Sequence, residues 1–315
     1  MSVSARLFCL DSVMIDIVVK IARVPESGSD VLASEHLIAC GGGYNAMSAA
    51  ARQGVSAIYA GRLGRGPFSS VARSSLAHDD IVEAFVADET HDAGFCVAMI
   101  DDGGERTFIT SPGSEGSLRL SHLASLDVQG GDYVLVSGYN VMYPESAPIV
   151  LEWLSNLDDD VIVAFDPSNR VMDVPQENLR SVLDRADWTL CNETEATLLT
   201  GEDSLDESVV ALAKATGRRG VVVRHGASGC TVLVKNAVPV RVAAFETTVV
   251  DTNGAGDTHS GVFLAELARG TDVLEAAQRG NAASAVAISV LGPASCPDRD
   301  VVSAMVQRAP RSTTL

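Results

Sequence analysis

No two of the six cysteines (Cys9, Cys40, Cys96, Cys191, Cys230 and Cys296) form a C-x-x-C pair. Their wide scatter argues against a zinc site or a disulfide framework and leaves buried apolar packing as the ordinary role of each thiol. Long apolar runs are missing as well. Leu7 to Leu10 is cut off by Asp11, no basic region precedes it, and no later run approaches membrane-spanning length. A cytoplasmic, reducing location is expected, with no membrane partner. Basic charge is scarce, with 23 Lys plus Arg against 41 Asp plus Glu and a formal net charge of −18. A polyanion would meet repulsion instead of gaining counterion release, which argues against nucleic acid as a partner. A small phosphorylated ligand stays allowed, because a local ring of backbone N–H groups holds an anion whatever the net charge. The glycine runs make neither a G-x-x-x-x-G-K-[ST] phosphate loop nor a G-x-G-x-x-G dinucleotide fingerprint.

What is present is a continuous chain of 315 residues, 46% of them hydrophobic, enough for one large α/β domain with a small appendage. Short apolar runs predict core strands at Arg6–Leu10, Ala57–Ala60, Tyr133–Ser137, Val161–Asp166, Trp188–Cys191 and Val221–Arg224. Helical periodicity predicts helices at Asn45–Gln53, Phe68–Ala77, Glu145–Leu154, Glu177–Arg185, Thr194–Thr200 and Glu207–Thr216. The alternation argues for a three-layer α/β fold with a doubly wound, mostly parallel sheet. Two stretches, Asp16 to Ile38 and Gly94 to Thr110, read instead as extended segments, the second a hairpin turning at Asp101-Asp102-Gly103-Gly104. They are expected to pair into a small β-sheet lid beside the main domain, which would span residues 1–307. The last third predicts helices at Gly254–Arg269, Val273–Leu291 and Asp298–Gln307, and the tail 308–315 is expected to be disordered.

The strongest chemical signal is Asp251-Thr252-Asn253-Gly254-Ala255-Gly256-Asp257, running directly into a helix. Glycines permit a tight turn, and the first helical turn leaves N–H donors unpaired at its positive end, a cradle for a transferring phosphoryl group. Asp257 beside it is a candidate base for an attacking hydroxyl; alone, it serves equally well to complement the helix dipole. A second cluster, Gly41-Gly42-Gly43-Tyr44-Asn45, opens a helix of small residues. It reads either as a packing device or as a place where a ligand approaches the main chain and Asn45 meets its hydroxyls.

These two runs carry a resemblance to the ribokinase-like, or PfkB, carbohydrate kinase family. The amino-terminal signature is matched by Gly41, Gly42, Gly43 and Asn45 with Gly54 and Gly64 downstream, and the carboxy-terminal one by Asp251 to Asp257 followed by Gly261. Further matches are Asp16, Gly104 to Phe108, Ser137-Gly138-Tyr139, Asp166 to Arg170, Asn192 to Glu195, and Gly226 with Gly229. The resemblance implies a kinase that uses ATP and Mg²⁺, with Asp257 as base and Gly254, Ala255 and Gly256 as anion hole. It implies substrate contacts from Asp16, Gly41, Gly42 and Asn45, nucleotide contacts from Asn192, Arg224, Gly226, Gly229 and Asn281, and Mg²⁺ organised through water by Asn192 and Glu195. It extends to a monovalent cation such as K⁺ at Asp251 and Ser295; the exposed face of a small lid sheet would in addition favour pairing into a homodimer through the lid.

Several residues stay open at this level. Asn192-x-x-Glu195 is also a helix capping pattern. Arg106 on the hairpin is a solvated charge or a substrate contact, and Arg170 contacts substrate or pairs with Asp173. Asp11 and Cys40 replace glycines common in the family, and Arg224-His225 replaces a small hydroxyl and an apolar residue, which bears on the nucleotide contact there. His259 stands where an aromatic is commoner. The acceptor is expected to be a sugar or, alternatively, a nucleoside; a non-catalytic sugar- or nucleotide-binding protein is the reading from another class, against which the carboxylate at 257 argues.

Overall fold

The computed structural model describes residues 5–308 except Gly104, Gly217 and Ala294, and the side chain of Arg106 is outside that description. From the amino terminus the chain forms β1 (Arg6–Cys9), β2 (Val13–Lys20), β3 (Glu35–Gly42), α1 (Gly43–Arg52), β4 (Ser56–Tyr59), α2 (Pro67–His78) and β5 (Val82–Glu83). The middle contributes β6 (Phe95–Ile100), β7 (Arg106–Ser111), α3 (Leu120–Leu123), β8 (Tyr133–Ser137), α4 (Gly138–Met142), α5 (Ala147–Ser155), β9 (Ile162–Asp166) and α6 (Gln176–Arg185). There follow β10 (Trp188–Asn192), α7 (Glu193–Thr200), α8 (Leu205–Thr216), β11 (Gly220–Arg224), β12 (Cys230–Val234), β13 (Val240–Val242), α9 (Ala255–Ala268), α10 (Val273–Ala287) and α11 (Arg299–Arg308).

Nine strands form one sheet in the order β13-β12-β11-β10-β9-β8-β1-β4-β5. Neighbours from β11 to β5 pair in parallel, and β12 and β13 add an antiparallel edge. Side chains alternate between the faces of a strand, so a sheet covered on both sides needs apolar residues at every position. Leu7, Leu135, Ala164 and Leu190 accordingly enter one core, under α1, α2, α9 and α10, while Phe8, Val134, Val163 and Phe165 enter the other, under α5 to α8. The expected three layers follow from that division. Because β1 has β4 on one side and β8 on the other, the chain reverses its winding there, and a crevice opens beyond the carboxyl ends of β1 and β8, where open sheets of this type receive ligands.

The two extended segments form a separate sheet, in the order β3-β2-β6-β7. Asp16 on β2 lies opposite Ala39 on β3 and Cys96 on β6. The hairpin turns where expected, with Asp101 accepting from the N–H groups of Gly103 and Glu105; Gly104 is outside the described residues.

Several elements differ from the sequence reading. The helix expected to run to Leu291 stops at Ala287, because the Ile288 carbonyl accepts from the N–H groups of Val250 and Asp251. The strands β5, β12 and β13 were not anticipated. Arg308 belongs to α11 and not to a tail, and residues 309–315 lie outside the described residues. No helix among the described residues is long and apolar enough to cross a membrane.

Candidate active site

Helix α9 starts at Ala255 after Gly254, whose φ of 72° is left-handed and suits glycine. No side chain caps this end. The Ala255 N–H turns to the Thr252 carbonyl at 3.3 Å, whereas those of Gly256 and Asp257 have no protein partner among the described residues. Two unpaired donors at the positive end of a helix therefore mark the spot. Helix α1 starts in a similar way, uncapped by any side chain, after Gly42.

The two helix starts are pulled together by small residues. At Gly261 on α9 a Cβ would sit 2.8 Å from that of Ala49 on α1, and closer still to the Ala46 carbonyl, so only glycine allows this approach. Its result is a bond between the two motifs, Asn45 Nδ2 donating to Asp257 Oδ2 at 2.9 Å. Asn45 is 2% exposed, and its Oδ1 is buried without a partner. An unmet acceptor beside a carboxylate is the arrangement that an incoming hydroxyl donor satisfies.

Burial pushes the Asp257 carboxyl up to about 6; the Asn45 bond and the Arg224 charge pull it down, and Asp166 and Asp16 push it further up. Asp16 is also raised, first by burial, and its Oδ2 accepts from Asn253 Nδ2 at 3.4 Å. Gly41 lies directly against this carboxylate. A third acid, Asp11, follows β1 at the crevice. Its Oδ1 accepts from the Ser12 N–H at 2.9 Å and from Ser137 Oγ at 2.5 Å. Burial raises it to about 7, with Asp257 and Asp166 adding repulsion against the two donors. Sequence reasoning noted Asp11 only as a departure and missed it as a site residue; the available signal was a carboxylate directly after an apolar strand.

Arg224 does not reach out as a free nucleotide contact. Its guanidinium is spent under the start of α9, donating to Ser260 Oγ at 2.7 Å and the Gly256 carbonyl at 3.2 Å and pairing with Asp166 at 3.4 Å. Glu195 lies 4.0 Å away. Burial opposes its charge, but these carboxylates outweigh it and hold the arginine protonated. Asn192 and Glu195 form the reciprocal capping box of α7, each side chain accepting from the other's N–H at 2.8 Å. The capping alternative is thus realised, and Glu195 keeps its second oxygen for other partners.

The remaining sites are dispersed. Gly226 (φ 56°) and Gly229 (φ 91°) turn β11 into β12, and Asn281 donates to the carbonyls of Val242 and Ala243. Asp251 accepts from the N–H groups of Asn253 and Gly292, while Ser295 turns its hydroxyl to the Ala287 carbonyl. Arg170 pairs with Asp173 at 2.7 Å in the open, the second of its two alternatives. Arg106 lies on β7, its side chain outside the described set. His259 is packed: buried, its ring stacks toward Phe263, and burial drives it down to about 3.

Open N–H groups at α9 suit phosphate oxygens, and the oxygens of Asp166 and Glu195 suit Mg²⁺, which prefers hard donors and keeps its waters. Among the described residues no group of three or more His, Cys, Asp or Glu is gathered to hold a metal by itself. Chemically, the centre can accept a proton from a hydroxyl next to a place for negative charge.

Known proteins are similar to this chain in sequence and in fold. The profile of the pfkB family carbohydrate kinases matches residues 4–300. An uncharacterized sugar kinase of Escherichia coli is 29% identical over 291 residues, covering 91% of this chain and 89% of that one. An adenosine kinase of Schizophyllum commune is 25% identical over 76% of this chain and 75% of its own. Among solved structures, Arabidopsis thaliana ribokinase complexed with ribose and ATP superposes with a TM-score of 0.79 at 24% identity, covering 98% of this chain and all of that one.

Proposed function

The chain belongs to the pfkB family of carbohydrate kinases, and from that premise we propose that it transfers the γ-phosphoryl group of ATP to a hydroxyl of a sugar or sugar-derived acceptor. The observation that carries this reading is the bond from Asn45 to Asp257 beside the unpaired N–H groups of α9. Asp257 takes the proton of the attacking hydroxyl, and its raised affinity for a proton, about 6, suits a base that works near neutrality. Asn45 orients that carboxylate, and its free Oδ1 accepts from the acceptor molecule. The N–H groups of Gly256 and Asp257, with Gly254 and Ala255 shaping the turn, face the charge that grows on the transferred group. Asp16, Gly41 and Gly42 bind further hydroxyls from the small sheet, which serves as a lid, with Arg106 on its edge strand and Arg170 in the loop after β9 as further substrate contacts.

Mg²⁺ supplies charge neutralisation on the phosphates, and Glu195, Asn192 and Asp166 are the residues that would hold it, through water. Gly226, Gly229 and Asn281 shape the nucleotide side, where Arg224 acts from beneath, and Asp251 with the chain near Ser295 is the place for a monovalent cation such as K⁺. We place the enzyme in the cytoplasm, as a dimer through the outer face of the lid, where Ile17, Ile38, Val97 and Ile109 share one row of the register.

ADP release measured against pentoses, hexoses, sugar acids and nucleosides, with Mg²⁺ and with or without K⁺, tests the reading. Turnover of at least one class supports it, and no release with any class refutes it. The similarity to an adenosine kinase favours nucleosides as the second acceptor class.

A further inference from the structure

We infer that the corner where β1 and β8 end is a recognition subsite for the part of the acceptor remote from the reacting hydroxyl, with Asp11 as its hydrogen-bond acceptor, and that it takes a hydroxyl- or ammonium-bearing substituent and rejects a phosphate or carboxylate. The inference rests on the kinase reading above and adds to it a residue and a chemical class. The corner lies at the winding reversal of the sheet, in the crevice that β1 and β8 open between them.

Its parts are fixed. Asn140 Nδ2 donates to the Leu10 carbonyl at 2.8 Å, and Asn140 Oδ1 accepts from the Ser137 N–H at 2.9 Å, tying the two strand ends together. Ser137 Oγ and the Ser12 N–H both donate to Asp11 Oδ1. Two donors on one oxygen leave the carboxylate a single orientation, and Oδ2 has no protein partner among the described residues. Asp11 is enclosed by protein yet still partly exposed, the condition of a group on the floor of a cleft. Ser12, Tyr139 and Asn140 also border a cavity of about 490 Å³, which reaches Tyr143 and Glu115 and gives a substituent room.

Charge decides what enters. Asp257 and Asp166 both repel negative charge at Asp11. The buried guanidinium of Arg224 is committed to Asp166, and the exposed Arg170, near Tyr139 and Tyr143, pairs through Nε with Asp173. At the Asp11 floor an anionic substituent therefore meets carboxylates, while a hydroxyl or ammonium finds an open lone pair. The unmet Oδ1 of buried Asn45 marks the other, reacting end of the same acceptor.

The experiment compares wild type with Asp11→Asn and Asp11→Gly on matched acceptors: a neutral sugar, its amino analogue, its acid and its phosphate, each also as a nucleoside where one exists. In Asp11→Asn the two donors keep Oδ1 in place, so the amide NH₂ turns to the cleft and an acceptor becomes a donor. Wild type should prefer the neutral and amino members. Asp11→Asn should lose about 10- to 100-fold in kcat/KM on them, mainly through KM, and should narrow or reverse the discrimination against the acid. Circular dichroism and melting check that the variants fold, and calorimetry without ATP reads binding apart from turnover. Equal preferences in wild type and both variants, or a wild type that prefers the acid or phosphate, overturns the subsite while leaving the kinase reading intact. Binding that needs Asp11 in a wild-type protein that releases no ADP overturns the kinase reading and upholds the subsite.

Discussion

Tyr133 to Ser137 and Val221 to Val223, in the nine-stranded sheet, are buried at every position, whereas in the four-stranded sheet Ile38, Phe108 and Ile109 are each more than half exposed. A strand buried on both faces has its position dictated by two cores, so whatever stands at its end is held still. Asp11, Ser137, Asp166 and Arg224 all stand at or just beyond such ends. The small sheet meets the core toward its base, through Val13, Ile15, Ile17, Cys40 and Phe95, and Ile38, Phe108 and Ile109 lie beyond that contact. The floor is thus more tightly determined than the small sheet, the division expected of an enzyme that closes over its substrate.

The largest effect should come from the floor. Asp257→Asn should lower kcat at least about 100-fold, the scale of a lost general base. The same change should stabilise the protein. A carboxyl whose folded-state proton affinity lies above its unfolded value contributes stability below the unfolded pKa and loses it as pH rises through the folded one, here from about 4 to about 6. At pH 8 the variant should melt higher by about 2–4 °C, roughly 1 kcal/mol in a chain of this size, and the gain should vanish near pH 4. Wild-type turnover in this variant would sink the base assignment.

Next in size is Gly261→Val. The added carbons fall on the Ala46 carbonyl and Ala49, so α1 and α9 must separate and Asn45 must leave Asp257. Loss of kcat by about 10- to 100-fold should accompany destabilisation of about 1–3 kcal/mol in urea unfolding. A normal kcat in a destabilised protein would break the link between packing and chemistry.

A pH profile sharpens the floor further. kcat/KM should fall below about pH 6 as Asp257 takes up a proton. In Arg224→Met the loss of a neighbouring positive charge should move that limb to higher pH, and a limb that stays put would mean that Arg224 serves only packing.

The cover should respond least. Ile109→Ser should leave kcat within about twofold and weaken self-association, read by sedimentation velocity; an unchanged sedimentation coefficient would remove the small sheet from any dimer contact. In the exposed loop after β9, Arg170→Ala should change stability by no more than about 0.5 kcal/mol, because an exposed pair contributes little, and its effect on KM measures whether the arginine meets substrate.

How much of this was legible in the residues follows the same line between floor and cover. Strands such as Val221–Arg224 and helices such as Phe68–Ala77 announce themselves because burial demands unbroken apolar runs or a clean helical period. Gly254 and Gly42 were legible as helix starts because few other residues accept their backbone angles. What escaped depended on partners far away in sequence. Arg224 reads as a nucleotide contact until Asp166, Glu195 and Ser260 come together around it, and Asn192 with Glu195 reads equally as cap or metal site until the two bonds are seen. Asp11 was visible as an odd residue, but its meaning lay in Ser137, 126 positions later. The edge strand β13 was missed because it is short and exposed, with no core to stamp a pattern on it.

Only Leu10, Asp11 and Ser12 separate β1 from β2, and nothing at all separates β3 from α1. These two crossings between the sheets touch, the Gly43 N–H donating to the Ser12 carbonyl at 2.8 Å. Any rocking of the small sheet would bend this joint together with the two crossings that lead into β6 and out of β7, so a guest wedged beside Asp11 would stiffen one axle of such a motion.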